Sequence, residues 1–483
     1  MNEHHVLPVI KHGMAMPFTI ALPEGELLTC LEAVRILPGR RLVGRGRWRG
    51  QDVFIKLFTG DRAERDWQHE QQGSVALLTH GVTAPALLLS TRLPEPGGFI
   101  ILYEVIDDGT DAGAAYEDAD AALRTVLRGQ LLGTLAQLHG AGLQHSDLHL
   151  DNFLLTDTRL YVLDAGSLRL MEAALDLPQA EDDLAVLLAQ FNDLQAGDVT
   201  ALYAQYLEAR HLADGDEARF VKKYNKARAY RERKYLDKIF RECSAFVAEH
   251  DFSRRCVFDR AYDSDCLREL LAEPDAFFTD PASVMLKDGN TSTVVSGDAC
   301  DQLLVIKRYN IKHAWHGLRR ALRETRAATS WRNAHLLGML GVPTAAPLAF
   351  IEERTGPLRG RSYFLMQAVE GTRAEEYFTD PDMPAELKQA QAGLLLKQFE
   401  RLADAGLVHG DYKATNFVIT EHGPLILDLD ALRRPSSTAR FRKGLARDLR
   451  RFLQNWQDEP AAMALFRSGV EALAARHGIA GEL

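Results

Sequence analysis

The sequence predicts an α+β protein built from two similar halves, each with a β-rich part followed by a helical part. Three observations predict this. The chain has 483 residues, which is too long for one ordinary core. It contains an internal repeat, and in both copies strand-like segments precede helical ones. We place the first half at residues 1–212, a basic helical connector at 213–275, and the second half at 276–483.

The repeat is clearest in a polar loop late in each half. Residues 141–156 recur as residues 405–420, so that His145 and His409 lie 264 positions apart. Both copies read Ala-Gly-Leu-x-His-x-Asp-x-x-x-x-Asn-Phe. A further aspartate follows each loop aspartate 17 residues later: Asp147 and Asp164, Asp411 and Asp428. Because the spacing is kept as well as the residue types, the repeat predicts the same local structure twice.

The elements before each loop also match. A lysine lies in an apolar segment rich in strand-favouring residues, Lys56 in the first half and Lys307 in the second. A charged helix follows each strand and stops at a glycine, Gly81 or Gly341. Helices with the same apolar stripe then lead into the loops: Leu131, Leu135 and Leu138, and Leu395, Phe399 and Leu402. The predicted order in each half is strands, helix, strands, and a helical part carrying the loop.

These residue types suit phosphoryl transfer from ATP. That reaction needs a cation for the donor phosphates, oxygen ligands for Mg²⁺, and a carboxylate that orients the acceptor hydroxyl. Each half supplies a strand lysine, a His-x-Asp-x-x-x-x-Asn loop and a later aspartate, in that order. The sequence therefore predicts two sites that use ATP and Mg²⁺.

At this point the motifs resemble those of the protein-kinase-like superfamily, and most closely the bacterial lipopolysaccharide core (Kdo and heptose) kinases. The resemblance covers about residues 36–212 and 276–455. It implies two bilobal domains in tandem, each with a small β-rich N-lobe and a helical C-lobe. The resemblance also implies residue roles, as follows: Asp147 and Asp411 as catalytic bases, Asn152, Asp164, Asn416 and Asp428 as Mg²⁺ ligands, and Lys56 and Lys307 on the α and β phosphates.

The two halves depart from that family pattern differently. Kinases orient the strand lysine with a helix glutamate, and Glu70 fills this place in the first half. The matching position in the second half is Ser330, and we expect Glu324 to substitute or Lys307 to be poorly held. In the loops, Lys413 is placed to neutralise the transferring phosphate, whereas the first half has His149 there.

Glycine-rich phosphate loops are weakly represented. The first half offers residues 44–50, Gly-Arg-Gly-Arg-Trp-Arg-Gly, and the second offers residues 288–294, Asp-Gly-Asn-Thr-Ser-Thr-Val. Either segment, as a turn, would present backbone N–H groups to phosphate.

Composition narrows the partners. The net charge of −10 disfavours nucleic acid. Basic segments at 40–49, 222–241 and 307–326 are either solvated faces or surfaces for an anionic substrate or membrane. No apolar stretch is long enough to span a membrane, and we expect no export signal at the start. The five cysteines include no Cys-x-x-Cys pair, which suggests that their thiols are reduced.

Three functions remain open at this level. The resemblance implies a cytoplasmic kinase that phosphorylates a sugar hydroxyl of the lipopolysaccharide inner core, an anionic glycolipid, with peripheral contact at the inner membrane. The same fold serves small-molecule kinases for aminoglycosides, choline or sugars. In the third reading, one half is a pseudokinase that supports the other, with the second half the candidate because of Ser330. A protein kinase is disfavoured because no Ala-Pro-Glu follows either late aspartate.

Overall fold

The structure is a computed structural model that describes residues 9–11, 13–94, 97–194, 196–310 and 324–482. The chain forms two compact units, Met1–Ala229 and Tyr230–Leu483. Both mix helices with antiparallel sheets, which confirms the α+β class. Residues 311–323, most of the basic segment 307–326, lie outside the described residues.

The strands of the first unit precede most of its helices. They are β1 (Phe18–Ala21), β2 (Leu27–Leu37), β3 (Arg41–Trp48), β4 (Gln51–Phe58), β5 (Leu87–Arg92), β6 (Phe99–Glu104), β7 (Thr110–Asp111), β8 (Leu143–His145), β9 (Phe153–Leu155), β10 (Leu160–Val162) and β11 (Leu168–Leu170). The helices are α1 (Ala63–Thr79), α2 (Ala112–Asp118), α3 (Ala121–Gly140), α4 (Leu177–Leu188), α5 (Ala196–Ala209) and α6 (Glu217–Lys238), the last of which crosses the unit boundary.

The second unit repeats this plan. Its strands are β12 (Phe246–His250), β13 (Arg254–Asp259), β14 (Val284–Asp288), β15 (Ser292–Ala299), β16 (Gln302–Tyr309), β17 (Pro347–Thr355), β18 (Leu358–Gln367), β19 (Thr372–Arg373), β20 (Phe417–Thr420) and β21 (Gly423–Ile426). Its described helices are α7 (Asp265–Ala272), α8 (Ala276–Thr279), α9 (Arg326–Met339), α10 (Ala374–Thr379), α11 (Ala385–Asp404), α12 (Thr438–Gln454) and α13 (Pro460–Arg476).

The two large sheets share a five-stranded centre. The first sheet has the order β1-β2-β3-β4-β6-β5, and the second has β12-β13-β17-β18-β16-β15-β14. With the extra strands removed, β2-β3-β4-β6-β5 corresponds to β14-β15-β16-β18-β17. The first sheet extends beyond β2, and the second extends beyond β17, at the opposite edge. In both sheets the lysine strand is central, and Lys56 and Lys307 are both buried.

The apolar stripes predicted before the loops form the cores of the helical parts. Leu131, Leu135 and Leu138 of α3 are fully buried, as are Leu395, Phe399 and Leu402 of α11. A side-chain cap starts α3, where Asp120 accepts from the backbone N–H of Leu123 at 2.8 Å. Each core helix ends just before the polar loop, so its packing fixes where the loop begins.

The predicted helical connector, residues 213–275, needs correction. It contains α6 as expected, but also β12 and β13, and β13 pairs with β17 of the second sheet. Charged residues in β12 and β13, among them Glu249 and Arg255, interrupt the apolar alternation by which a strand is recognised in a sequence. These strands form because they pair with a distant edge of the sheet, which a local pattern does not show. Asp251 closes the hairpin by accepting from the backbone N–H groups of Ser253 and Arg254.

The expectation of reduced thiols is also corrected in part. Cys266 at the start of α7 forms a disulfide with Cys300 in the turn after β15, while Cys30, Cys243 and Cys256 are free. Sequence spacing gave no sign of this pair, because 34 residues separate the two cysteines and only the fold brings them together. Among the described helices, none is both long and apolar enough to cross a bilayer.

Candidate active sites

Lys56 in the first unit is held by a buried carboxylate. Its Nζ lies 2.6 Å from Glu70 Oε1, and α1 brings this glutamate against the sheet. The hydroxyl of Tyr103 also donates to Glu70 Oε1, at 2.9 Å, and lies 2.8 Å from Ser74 Oγ. Because Glu70 is only 1% exposed, its charge needs these donors. The predicted lysine–glutamate pair is therefore present.

Asp164 completes this side of the site. Its Oδ1 is 3.2 Å from Lys56 Nζ, and the Ser167 hydroxyl donates to Oδ2 at 2.6 Å. Burial by itself would raise the pKa of Asp164, but the Lys56 charge and the two hydrogen bonds outweigh burial and lower it. The backbone of Asp164 is left-handed, with φ 53° and ψ 57°, which is uncommon for a residue with a side chain. The carboxylate is thus ionised and fixed in direction.

The polar loop of the first unit is tied to the same strand end. Asn152 Nδ2 donates to the carbonyl of Asp147 at 2.7 Å, and the backbone N–H of Leu163 donates to the carbonyl of Asn152 at 2.8 Å. The ring of His145 lies 3.3 Å from the Leu163 carbonyl. Asp147 itself is exposed. His149 Nδ1 lies 3.2 Å from the Asp151 carboxylate.

The second loop has almost the same bonds. Asn416 Nδ2 donates to the carbonyl of Asp411 at 2.9 Å, and the Leu427 N–H donates to the Asn416 carbonyl at 2.8 Å. The His409 ring lies 3.1 Å from the Leu427 carbonyl. Here Lys413 differs from His149, because its Nζ lies 2.9 Å from Asp411 Oδ2. The second loop therefore carries a cation directly beside the proposed base.

Lys307 obtains its carboxylates from the loop after β21 and not from a helix. Its Nζ is 2.5 Å from Asp428 Oδ1 and 3.3 Å from Asp430 Oδ2. Asp428 is left-handed like Asp164, with φ 56° and ψ 60°. Burial opposes a charged Lys307, but Tyr309, Asp430 and Asp428 outweigh it and raise the lysine pKa. Glu324 does not substitute for a helix glutamate, since it pairs with Arg332.

Asp430 is the functional candidate that the sequence analysis missed. It stands where the first unit has Gly166, two residues after the left-handed aspartate. A Cβ added to Gly166 would lie 2.7 Å from Glu70 Oε2, so Glu70 already fills that space. In the second unit the position of Glu70 holds Ser330, whose hydroxyl lies 2.8 Å from the Tyr309 hydroxyl. The carboxylate has thus moved from the helix to the loop.

The spacing between helix and loop agrees with this exchange. A Cβ on Gly73 of α1 would lie 2.0 Å from the Ala165 carbonyl oxygen, so only glycine permits the approach. The corresponding residue on α9 is Asn333, whose Nδ2 donates to the carbonyls of Leu429 and Leu432 at 2.8 and 2.9 Å. An asparagine side chain therefore lies between helix and loop in the second unit, whereas in the first unit the helix and the loop touch through their backbones. The wider spacing in the second unit leaves space for the Asp430 side chain.

Each lysine lines a cleft with an apolar interior, which fits a nucleotide base above a phosphate-binding end. The first cleft runs from the segment after β6 to the late aspartate, and its lining includes Leu77, Ala84, Val105, Leu154, Lys56, Glu70 and Asp164. The second has Val294, Val305, Phe364, Met366, Val418, Lys307, Asn416 and Asp428. Both sets of residues suit ATP.

The donors available for a metal are few but of the right chemistry. Within the described ranges there is no group of three or more His, Cys, Asp or Glu that could hold an ion. Asn416 and Asp428 line the second cleft, and Asp164 lines the first, where the Asn152 carbonyl accepts a hydrogen bond from the backbone N–H of Leu163. Mg²⁺ commonly takes one or two protein oxygens together with substrate phosphates and water. Asn152 with Asp164, and Asn416 with Asp428, fit that requirement.

One glycine prediction is wrong. Gly44 and Gly46 lie within β3 and not in a turn, and an added Cβ would come within 2.2 Å of Glu32 O or 2.3 Å of Thr29 O on β2. These glycines serve strand packing where β2 is irregular. The hairpin turn that corresponds to the second unit's Gly289 turn is instead at Gly39, between β2 and β3.

The geometry of these clefts is that of a phosphotransferase. Such an enzyme acts mainly by positioning the substrates and stabilising charge, and not by forming covalent bonds to them. The chain is an enzyme of this class. Residues 275–470 match the model of the lipopolysaccharide kinase (Kdo/WaaP) family. For the second half of the chain, this match confirms the resemblance noted from the motifs.

Other comparisons add little. Among solved structures, a mutant form of the kinase domain of Mycobacterium tuberculosis PknI is similar at 17% identity, over 41% of this chain and 95% of that one, with a TM-score of 0.28. At that score the similarity supports no argument. A comparison with curated protein sequences gives no significant match.

Proposed function

We propose that this protein transfers the γ-phosphoryl group of ATP to a sugar hydroxyl of the lipopolysaccharide inner core, at the cytoplasmic face of the inner membrane. The observation that carries the proposal is the second unit, where the family match coincides with a cleft that holds Lys307, Asp428 and the loop of Asp411. The acceptor is an anionic glycolipid, and contact with the membrane is peripheral.

Each residue of the second site has a role that follows from its place. Lys307 binds the α and β phosphates, and Asp428 and Asn416 hold Mg²⁺, which would neutralise charge on the phosphates. Asp411 orients the acceptor hydroxyl and takes its proton as the new O–P bond forms and ADP leaves. Lys413, 2.9 Å from Asp411, stabilises negative charge on the transferring group.

We also propose that the first unit is a second kinase-like domain with its own active site. The five-stranded order shared by the two sheets supports this, as do the matched loop hydrogen bonds and the left-handed aspartates. Asp147 would be the base, Lys56 with Glu70 the phosphate-binding pair, and Asn152 and Asp164 the Mg²⁺ ligands. The case for a pseudokinase in the second unit weakens, because Asp430 supplies the carboxylate that Ser330 lacks.

The test is a transfer assay with the full chain. Labelled ATP and Mg²⁺ are incubated with dephosphorylated core glycolipid, and the product is analysed by mass spectrometry. We expect phosphate on a core sugar with the wild type and none with the Asp147→Asn/Asp411→Asn variant. Parallel reactions contain an aminoglycoside, choline or a free sugar. Transfer only to one of these acceptors would replace the proposal with a small-molecule kinase.

A further inference from the structure

The second unit carries a concentrated positive surface next to its polar loop. Between residues 433 and 451 the chain has eight Lys or Arg and one carboxylate, Asp448, in a protein whose net charge is −10. Six of these basic residues line one open groove, together with Ser436 and Glu482. We call this the basic groove: Arg433, Arg434, Arg440, Lys443, Arg447 and Arg450.

Helix periodicity puts most of the groove on one face of α12. Arg440, Lys443, Arg447 and Arg450 follow one another at intervals of three, four and three, so their side chains project in one direction. All four are exposed, while Leu445, Leu449 and Phe452 on the opposite face are buried in the core. The helix is therefore anchored by its apolar face and presents its cations outward.

Few of these cations are neutralised. Within the described residues, Arg434 pairs with Glu232, and Arg447 reaches Asp448 only at 3.8 Å. Arg440 donates to a serine hydroxyl, Arg433 and Arg450 donate to backbone carbonyls, and Lys443 has no described partner. Like charges this close repel one another, and an anionic ligand with several acidic groups would remove that repulsion.

The groove is coupled directly to the loop that carries Asp411. Arg433 and Val408 exchange backbone hydrogen bonds of 2.9 and 3.0 Å, and Val408 lies three residues before Asp411. A Cβ placed on Gly410 would lie 3.4 Å from an Arg433 guanidinium nitrogen. Asp448 of α12 accepts from the Gly410 N–H at 2.9 Å. An anion in the groove is therefore held at a fixed place relative to the proposed base.

The first unit does not repeat this surface. Counted from Asp183, the counterpart of Asp448, the positions of Lys443, Arg447 and Arg450 hold Pro178, Asp182 and Ala185 on α4. The basic face is thus specific to the unit that matches the kinase family. General solubility does not explain it, because the equivalent helix of the other unit, α4, carries no Lys or Arg.

We propose that the basic groove binds phosphate or carboxylate groups of the saccharide acceptor and so orients its hydroxyl toward Asp411. This rests on the proposed function and names the part of the acceptor that the second site recognises. The ligand is the charged sugar itself and not the headgroup of a membrane phospholipid, because the groove adjoins the catalytic loop at Gly410.

The experiment measures binding without ATP and, separately, transfer. The probe is soluble, deacylated core oligosaccharide that retains its acidic groups, titrated by calorimetry into the full chain and into Arg440→Glu/Lys443→Glu. The matched control is Arg467→Glu/Arg476→Glu on α13, which makes the same charge change at exposed residues. Circular dichroism and ATP hydrolysis verify folding and the nucleotide site in each variant.

We expect the groove variant to bind the oligosaccharide at least about tenfold more weakly, as loss of charge-assisted contacts implies. The control should bind like the wild type. Equal affinity of the groove variant and the control variant for the oligosaccharide would overturn the groove proposal. It would also be overturned if the wild type bound anionic phospholipid vesicles more tightly than the groove variant did but bound no oligosaccharide. If the groove variant binds the oligosaccharide more weakly but the wild type transfers no phosphate, only the proposed function is overturned. If the wild type transfers phosphate and the groove variant binds and transfers equally well, only the groove proposal is overturned.

Discussion

In the first unit a helix brings a glutamate to the buried lysine, whereas in the second unit the loop that carries the left-handed aspartate supplies both carboxylates. Glu70 and Lys56 are 14 residues apart, but Asp430 and Lys307 are 123 apart. The ion pair is kept although its source has moved. A buried lysine needs a nearby carboxylate, and it matters less whether a helix or a loop provides it.

The difference bears on control of the two sites. In the first unit, displacement of α1 would remove Glu70 from Lys56. In the second, Lys307 is anchored by the loop after β21, and Arg326 at the start of α9 pairs with Asp430 at 2.5 Å. In the second unit the helix therefore acts on Lys307 indirectly, through Arg326 and Asp430, whereas in the first unit a side chain of the helix bonds to Lys56 directly.

The proposed bases offer the largest effect and show whether both units act. Asp147→Asn and Asp411→Asn are compared as single variants. Loss of a positioned base lowers kcat by about a hundredfold to ten-thousandfold at the affected site. We expect Asp411→Asn to remove the phosphate that the second site adds to the core sugar, measured by mass spectrometry of the product.

The result for Asp147→Asn then sharpens the comparison. If a distinct phosphate disappears from the product, both units are active on different positions. Unchanged products and rates would contradict an active first unit. Asp157→Asn, in an exposed turn of the first unit, is the control for the charge change.

Asp430→Asn tests the second lysine anchor. Without this carboxylate Lys307 pairs with Asp428 alone and Arg326 loses its partner. We expect kcat to fall by roughly tenfold to a hundredfold, the range associated with misplaced catalytic groups, and KM for ATP to rise. Measurement uses the Asp147→Asn background, so that only the second site contributes. Glu324→Gln is the control, and wild-type kinetics for Asp430→Asn would show that Asp428 suffices.

An exchange in the first unit tests whether the two carboxylates replace each other. Gly166→Asp alone should impair nucleotide binding, because its Cβ would lie 2.7 Å from Glu70 Oε2. In a Glu70→Ser background the same substitution should improve it, since the space is free. Nucleotide affinity is measured by titration of proteins that also carry Lys307→Ala, so that the second nucleotide site does not contribute. An equal effect of Gly166→Asp in both backgrounds would break the proposed correspondence.

The smallest effect concerns stability and distinguishes the two helices. His335 on α9 is buried against Trp331 and Phe246, and burial lowers its pKa to about 4. The unfolded chain takes up a proton below about pH 6.5, but the folded one only near pH 4. The free energy of unfolding therefore falls between these values, by about 3 kcal/mol in total.

Hydrogen exchange along α9 measures this pH dependence. We expect protection of α9 to fall from pH 6.5 to pH 4 in the wild type and to fall less in His335→Phe. The corresponding residue of α1 is the exposed Val75, so α1 should lack this trend. His422→Phe, at an exposed site, serves as control. A similar acid trend in His335→Phe would assign the loss of protection to other groups.

The sequence by itself determined the elements whose signals are local. The matched loop spacing predicted the same local structure around Asp147 and Asp411, and both loops have the same asparagine hydrogen bond to the aspartate carbonyl. The strand pattern placed Lys56 and Lys307 in apolar strands, and the repeat predicted that the two halves share an order of elements. The α+β class followed from the same patterns.

Only the tertiary structure decided the contacts between distant segments. The sequence offered Glu324 as the partner of Lys307 and missed Asp430, because Asp430 lies 123 residues away and no local pattern shows that the two meet. For the same reason it missed the pairing of β13 with β17 and the disulfide of Cys266 with Cys300. Local patterns specify which elements form, but non-local packing specifies which side chains meet.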